Sequence, residues 1–181
     1  MQVTALKTPG LAALGIDSQD AAHVLATFID RSPLPVTALI QGLADVKLTI
    51  TVVCTGDRSL NVSEADLLDA PEGTPCRWRT ARLHTADGIL AAGVYLLWLP
   101  SRLDAETCAE LDAAAEPAGV ILARIPGGMR REQRRALAAP VTDKITGEDT
   151  SVMSRAVLIA GGQPVGIAKE NFMTEFVEGL T

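Results

Sequence analysis

The chain has 181 residues, of which 48% are hydrophobic and 21% are charged. This length suits one domain with a substantial core, and the composition is typical of a globular protein and not of a disordered one. Lys and Arg number 16 against 22 Asp and Glu, giving a net charge of -6. That charge disfavours nucleic acid as a partner, because phosphate contacts require a concentrated basic surface. We expect a single domain over residues 1–181.

Signals for secretion, membrane insertion and metal binding are absent from the sequence. Residues 1–9 contain no apolar run of the secretory kind, and the longest apolar stretch, Ile89–Pro100, is about half the length of a membrane-spanning helix. The histidines lie far apart, and no CxxC pair occurs among the cysteines, which are Cys54, Cys76 and Cys108. We expect a cytoplasmic protein without a metal site and without a membrane partner.

The first part of the chain combines helical and strand periodicity. Apolar residues at helical spacing, interrupted by Pro33 and Pro35, predict two helices, and alternation of apolar and polar residues predicts a strand. The predicted segments are a helix over Ser18–Asp30, a helix over Val36–Leu43, a strand over Val46–Cys54, a polar loop over Thr55–Asn61 and a weak helix over Ser63–Asp69.

Two hairpins are the clearest signals in the rest of the chain, because turn residues separate long alternating or apolar strands. Their strands are Cys76–Thr85 with Ile89–Leu99, and Val152–Ala160 with Pro164–Met173. Between them we predict a helix over Asp104–Ala115, a short apolar segment over Val120–Ala123, an arginine-rich helix over Arg130–Leu137 and a polar loop over Pro140–Thr150. This order predicts an α+β fold, an antiparallel β-sheet with helices packed mainly on one face.

Five arginines cluster in the segment that follows the predicted helix over Asp104–Ala115. They are Arg124, Arg130, Arg131, Arg134 and Arg135. The simpler interpretation is a solvated helix face. The alternative is a lining for an anionic ligand, since a guanidinium matches a carboxylate with two parallel hydrogen bonds.

Four segments in the same order resemble the chorismate–pyruvate lyase family, and the match runs from about Leu25 to Met173. The segments are LATFIDRSPLPVTALIQGLADVKLTITVV, WRTARLHTADG with AAGVYLLWLP, EPAGVILAR, and SRAVLIAGGQPVGIAKENF. They are similar to the opening helix–strand block of the family, its central hairpin, its Pro-x-Gly segment and its closing hairpin, whose last strand bears a glutamate. The resemblance implies a chorismate lyase-like fold.

The resemblance also implies a carbon–oxygen lyase that removes pyruvate from chorismate, or from a related cyclic carboxylate, and leaves a hydroxybenzoate. Such an enzyme works without a metal or an organic cofactor. Its site requires arginines for the carboxylates, one carboxyl group near the ring hydroxyl and an apolar enclosure. The partner is then a small-molecule carboxylate substrate, and the protein is expected to be a monomer or a homodimer.

Glu170 is the acid that the resemblance assigns to catalysis. Strand parity places it on one face with Gly166, Ala168 and Phe172, where small neighbours leave room for a ligand and burial would perturb its pKa. The alternative is a strand-end position facing water. A slip of one residue would exchange Glu170 with Lys169.

The carboxylate-binding arginine is where this sequence departs from the family. An ungapped alignment on the central hairpin places Thr80 at that position. Arg82 lies two residues further on the same strand face, whereas Arg79 would need a bulge or a shift of register. Arg130 and Arg155 are further candidates for substrate binding, and each arginine is alternatively an ordinary surface charge.

Three residues match pocket-wall positions of the family, namely Val36, Gly119 and Val120. Three functions then compete. We rank a lyase first and a tailoring enzyme of secondary metabolism (a cyclase, dehydratase or isomerase) second. A non-catalytic small-molecule sensor domain, as found in regulators with this fold, ranks third, because no helix-turn-helix segment precedes the domain in this sequence.

Overall fold

The computed structural model describes residues 18–44 and 46–180, so the N-terminal segment discussed above lies outside the described residues. The described residues form helices and strands in the order α1 (Ser18–Arg31), α2 (Val36–Ala44), β1 (Leu48–Ser59), α3 (Val62–Leu68), β2 (Pro75–Thr85), β3 (Leu90–Trp98), α4 (Ala105–Ala113), α5 (Ala118–Leu122), β4 (Met129–Thr142), β5 (Asp149–Ala160), β6 (Gln163–Met173) and α6 (Thr174–Glu178). None of these helices is long and apolar enough to cross a membrane.

The strands form one sheet in the order β1-β2-β3-β6-β5-β4, and all neighbouring strands are antiparallel. Both predicted hairpins are present as β2–β3 and β5–β6. They meet at the centre of the sheet, where β3 pairs with β6, and this leaves β1 and β4 as the edges. The predicted α+β fold with an antiparallel sheet is confirmed.

The two faces of the sheet differ in what covers them. One face, called the five-helix face below, packs against α1, α2, α4, α5 and α6 through clusters that include Leu25, Leu111 and Phe176. The other, called the α3 face, is covered in part by α3, whose Ala65 and Leu68 belong to a smaller cluster on that side. Because strand residues alternate between faces, every other residue of β2, β3, β5 and β6 points to the same covering helices.

The prediction of a helix over Arg130–Leu137 is wrong, because this segment belongs to strand β4. The strand pairs with β5, and a bulge between Glu132 and Arg135 holds Gln133 at φ 46°. Its arginines and alanines favour a helix, but pairing with β5 gives the backbone hydrogen-bond partners on either side of the bulge and overrides that weak preference. The predicted loop after it shortens accordingly, since β4 continues to Thr142.

The predicted polar loop over Thr55–Asn61 is also wrong for most of its length. Strand β1 continues through it to Ser59, with Thr55 opposite Arg79 and Arg58 opposite Cys76 on β2. Edge strands tolerate polar side chains on both faces, so the alternation that marks a strand in the sequence is lost there.

Candidate functional site

A small cavity lies between the five-helix face of the sheet and the α2 and α5 helices. Its volume is about 50 Å³, and its walls are mainly apolar, with Val36, Val94 and Leu96 among them. Three charged side chains line it, namely Arg79 on β2, Arg131 on β4 and Glu170 on β6. An apolar cavity with few converging charged groups is the usual form of a ligand site.

Glu170 lies near the middle of β6, opposite Val94 on β3 and Ser154 on β5. Only 8% of its surface is exposed. The Ser154 hydroxyl donates a hydrogen bond to Glu170 Oε2. Burial raises the pKa of Glu170 above its ordinary value, and the nearby Arg131 and the Ser154 hydrogen bond oppose this rise.

Arg131 is 1% exposed and is the cation nearest to Glu170. Its Nη2 lies 3.7 Å from Glu170 Oε2 and 3.4 Å from Ser154 Oγ, and its Nη1 donates to the Ile29 carbonyl at 3.2 Å. Burial lowers the pKa of Arg131, whereas the charge of Glu170 raises it. Within the described part of the chain, its buried Nε has no hydrogen-bond partner. This network is therefore satisfied only in part.

Arg79 is the second buried cation of the cavity, with 3% of its surface exposed. Its Nη1 donates to the carbonyl of Leu111, near the C-terminal end of α4, where helix carbonyls lack intrahelical partners. Burial lowers the pKa of Arg79 to about 10, with Asp112 opposing this effect. No carboxylate of the described residues forms an ion pair with Arg79. A buried guanidinium without an acid is costly and requires a counter-ion to offset its lost hydration.

The structure brings four of the predicted site residues together around the cavity: Glu170, Arg79, Val36 and Gly119. Gly119 allows α5 to approach the α1–α2 connection, because a Cβ atom there would lie 2.6 Å from the Cβ of Pro35. Gly166 does not provide space for a ligand, contrary to our expectation. A Cβ there would overlap the backbone oxygen of Leu97, so this glycine permits close strand packing.

Four predicted binding residues lie on the α3 face, away from the cavity. Strand alternation places Thr80 and Arg82 there, because Arg79 occupies the five-helix face without any shift of register. Arg130 is exposed and pairs with Glu132, and Arg155 faces the α3 side opposite Lys169 on β6. These placements correct the expectation that these side chains line one pocket with Glu170.

Val120 likewise does not line the cavity, although its neighbour Gly119 does. Two other residues of the site were not assigned to it individually, because Arg131 was named only as a member of the arginine cluster and Ser154 was not considered. Arg131 was hidden by the helical interpretation of its segment, and Ser154 shares strand parity with Val152 and Ala156, which could have placed it beside Glu170.

Comparisons with known proteins give a match at the level of structure alone. No family model matches the chain, and no curated protein matches it. The effector domain of PhnF from Mycobacterium smegmatis superposes with a TM-score of 0.59 at 12% identity, covering 80% of this chain and 93% of that domain. The ligand-binding domain of a regulator assigned to the GntR family from Bordetella bronchiseptica gives 0.56 at 13% identity, with 71% and 87% covered.

The chain has a chorismate lyase-like fold. A longer structure of PhnF from Mycobacterium smegmatis superposes with a TM-score of 0.58 at 11% identity, and the match covers 78% of this chain and 64% of the PhnF chain. The chain therefore spans less than two thirds of the length of that protein. The similar structures include an effector domain and the ligand-binding domain of a transcriptional regulator, and this finding contradicts our prediction of a carbon–oxygen lyase, which we withdraw.

Proposed function

We propose that this chain is a non-catalytic sensor domain that binds a small anionic molecule in the cavity of Arg79, Arg131 and Glu170. The observation that carries the proposal is the unequal pairing of the two buried arginines. Arg131 lies beside Glu170, whereas Arg79 has one backbone carbonyl and no ion-paired acid. The nearby Asp112 pairs with Arg77. A carboxylate or phosphate group of a ligand would supply the missing counter-ion and accept two hydrogen bonds from the guanidinium.

The ligand would be bound by both polar and apolar groups. Leu96, Val94 and Val36 offer apolar walls to its body, and the partly satisfied Glu170–Arg131 pair offers polar groups to its other end. Because burial raises the pKa of Glu170, this carboxyl group is closer to protonation than an exposed one and can donate a hydrogen bond when it is protonated.

The size of the cavity suggests how binding would be signalled. A volume of about 50 Å³ holds a few water molecules, whereas typical ligand pockets measure roughly 300–1,000 Å³. A ligand larger than a simple anion would therefore move α2 and α5 away from the sheet. A ligand that contacts Arg131 would also act on α1 and on the α1–α2 connection. The Ile29 carbonyl accepts from the Arg131 side chain, and the Pro33 carbonyl accepts from the Arg131 backbone N–H at 3.0 Å.

The proposal is tested by calorimetric titration with a panel that runs from acetate and inorganic phosphate to 4-hydroxybenzoate and small phosphate esters. We expect at least one member to bind wild-type protein and Arg79→Gln to weaken it by at least about tenfold, because a charge-assisted contact is lost. Arg130→Gln is the matched control, since Arg130 is exposed and lies outside the cavity. Its affinity should stay within about twofold of wild type.

Two outcomes would contradict the sensor proposal. One is that no member of the panel binds. The other is that Arg79→Gln binds as tightly as the Arg130→Gln control, because the ligand would then not reach the unpaired guanidinium. Circular dichroism of both variants checks that each has kept its fold.

A further inference from the structure

The α3 face carries a groove that is separate from the cavity and larger, at about 400 Å³. Helix α3 and the residues that follow it form one wall, and strands β5 and β6 form the floor. Leu67 and Ile167 make an apolar base, while Arg155 and Lys169 project from the floor beside them. The groove has the size of a small-molecule site, which the cavity on the five-helix face does not have.

The floor of the groove belongs to a row of cations across three neighbouring strands. Arg135 on β4 is the register partner of Arg155 on β5, and Arg155 is the register partner of Lys169 on β6. Register partners in antiparallel strands point to the same face, and adjacent strands lie about 4.8 Å apart. Like charges directly opposite each other destabilise a sheet. The mutual repulsion of these cations would be offset by a bound anion.

No acid of the described residues forms an ion pair with this row. The side chains of Arg155 and Arg135 form no hydrogen bond and no ion pair there. The Nζ of Lys169 lies 5.3 Å from the centroid of the Tyr95 ring, and its charge helps to lower the pKa of Glu64 on the groove wall. Glu72 lies on the groove wall but is exposed and forms no ion pair with either floor cation. The row is open to an anion from outside.

Glu64, the other acid of the groove, is already engaged. Both of its oxygens accept from Arg58 at 2.6 Å, and its Oε2 also accepts from the backbone N–H of Asn61, which caps α3. Arg58 in turn donates to the hydroxyl of Tyr95 at 2.7 Å. Glu64 is thus satisfied by Arg58 and by the Asn61 N–H, and Glu72 leaves one exposed negative charge on this wall, which the two floor cations Arg155 and Lys169 outnumber.

We propose that the α3-face groove is a second binding site, for a small multivalent anion whose carboxylate or phosphate groups lie on Arg155 and Lys169. Arg135, the register partner of Arg155 on β4, extends the row beyond the groove lining and would contact a third anionic group. Leu67 and Ile167 would contact the apolar part of the ligand. This site goes beyond the proposed sensor function, because none of its residues lines the cavity.

The test is calorimetric titration with citrate, inorganic phosphate and acetate at one fixed ionic strength. We expect citrate to bind most tightly, since its three carboxylates match the row, and acetate to bind least. The double variant Arg155→Gln/Lys169→Gln should have an affinity for citrate at least about tenfold lower than wild type, because charge-assisted contacts are lost. Phosphate binding more tightly than citrate would assign the site to phosphate-bearing ligands and would still support it.

The matched control is Arg124→Gln with Arg130→Gln, which removes the same charge from exposed ion pairs outside the groove. The affinity of this control for citrate should stay within about twofold of wild type. The same is expected of Arg79→Gln, because this substitution changes the cavity and not the groove. Failure of the sensor proposal and failure of the groove are thereby distinguishable.

Three results would overturn the groove proposal. They are no citrate or phosphate binding by wild type, equal weakening in the groove variant and its control, or a short DNA duplex that binds the groove residues and displaces citrate. Displacement of citrate by DNA would mean that the groove binds nucleic acid and not a small anion. All substitutions are at partly or fully exposed positions apart from Arg79, so thermal melts should confirm folded protein in each case.

Discussion

The cavity and the α3-face groove each contain an arginine without an ion-paired acid, Arg79 and Arg155 respectively, but the cations of the two sites differ in how far they are removed from water. Arg79 and Arg131 are almost fully buried, and burial lowers the pKa of both. Arg155 and Lys169 keep contact with solvent. Charges interact more strongly away from water. Substitutions in the cavity should therefore change the free energy of unfolding by a large amount, and substitutions in the groove by a small amount.

The largest effect is expected for Arg131→Ala. This change leaves Glu170 buried without its cation and removes the hydrogen bond to the Ile29 carbonyl. We expect a loss of about 3 kcal/mol in the free energy of unfolding, which is typical when one partner of a buried ion pair is removed. Urea denaturation measures it. Arg130→Ala, the neighbouring exposed cation, should stay within about 0.5 kcal/mol of wild type.

An equal loss in both variants would show that the difference between the buried and the exposed arginine does not govern stability. In that case the hydrogen bonds and the ion pair of Arg131 would contribute no more to the free energy of unfolding than a surface ion pair does.

An intermediate effect is expected from the titration of Glu170. Its native pKa is raised above the ordinary glutamate value of 4.5, so the native state keeps a proton that the unfolded chain has already released. Its contribution to stability is therefore complete below pH 4.5 and is lost as the pH rises through the native pKa. The slope can reach about 1.4 kcal/mol per pH unit.

The measurement is urea denaturation of wild type and Glu170→Gln between pH 4 and 8, where the glutamine cannot titrate. The stability of wild type relative to the variant should fall as the pH rises above 4.5. A difference that rises with pH would mean that Arg131 and Ser154 outweigh burial and that the native pKa is lowered.

The smallest effect is expected for the groove. Replacing Arg155 and Lys169 by Gln removes two like charges that face each other across β5 and β6. In the absence of an anion, we expect the free energy of unfolding to rise by a few tenths of a kcal/mol, in line with cross-strand pairs. Thermal melts in low salt measure it, and added salt should reduce the gain by screening. A clear loss of stability would indicate that these cations have partners in the folded protein.

Much of the fold was predictable because it depends on local patterns. The two hairpins were visible as long strands separated by turn residues, and α1 and α2 as apolar stripes at helical spacing. Strand β4 was not visible. Its arginine-rich sequence favours a helix locally, and only pairing with β5, whose partner residues lie some distance along the chain, makes it a strand.

The site was predictable in part for the same reason. Glu170 follows from the parity of a strand that was correctly placed, and its face is the one predicted for it. Arg79 was expected to need a bulge or a shift of register, because the strand alternation was counted from Thr80, the position that the family alignment gave to the binding arginine. Arg131 could not be assigned to a face while its segment was taken for a helix.

By itself the sequence determined the antiparallel hairpins, the α+β class and the position of an acid on the closing strand, because these depend on residue alternation and turn chemistry within short segments. The tertiary structure alone decided which arginines are buried, which of them stands beside an acid and which face the groove. Those properties depend on the register between strands and on the helices that cover each face, and neither is encoded in any short stretch of the chain.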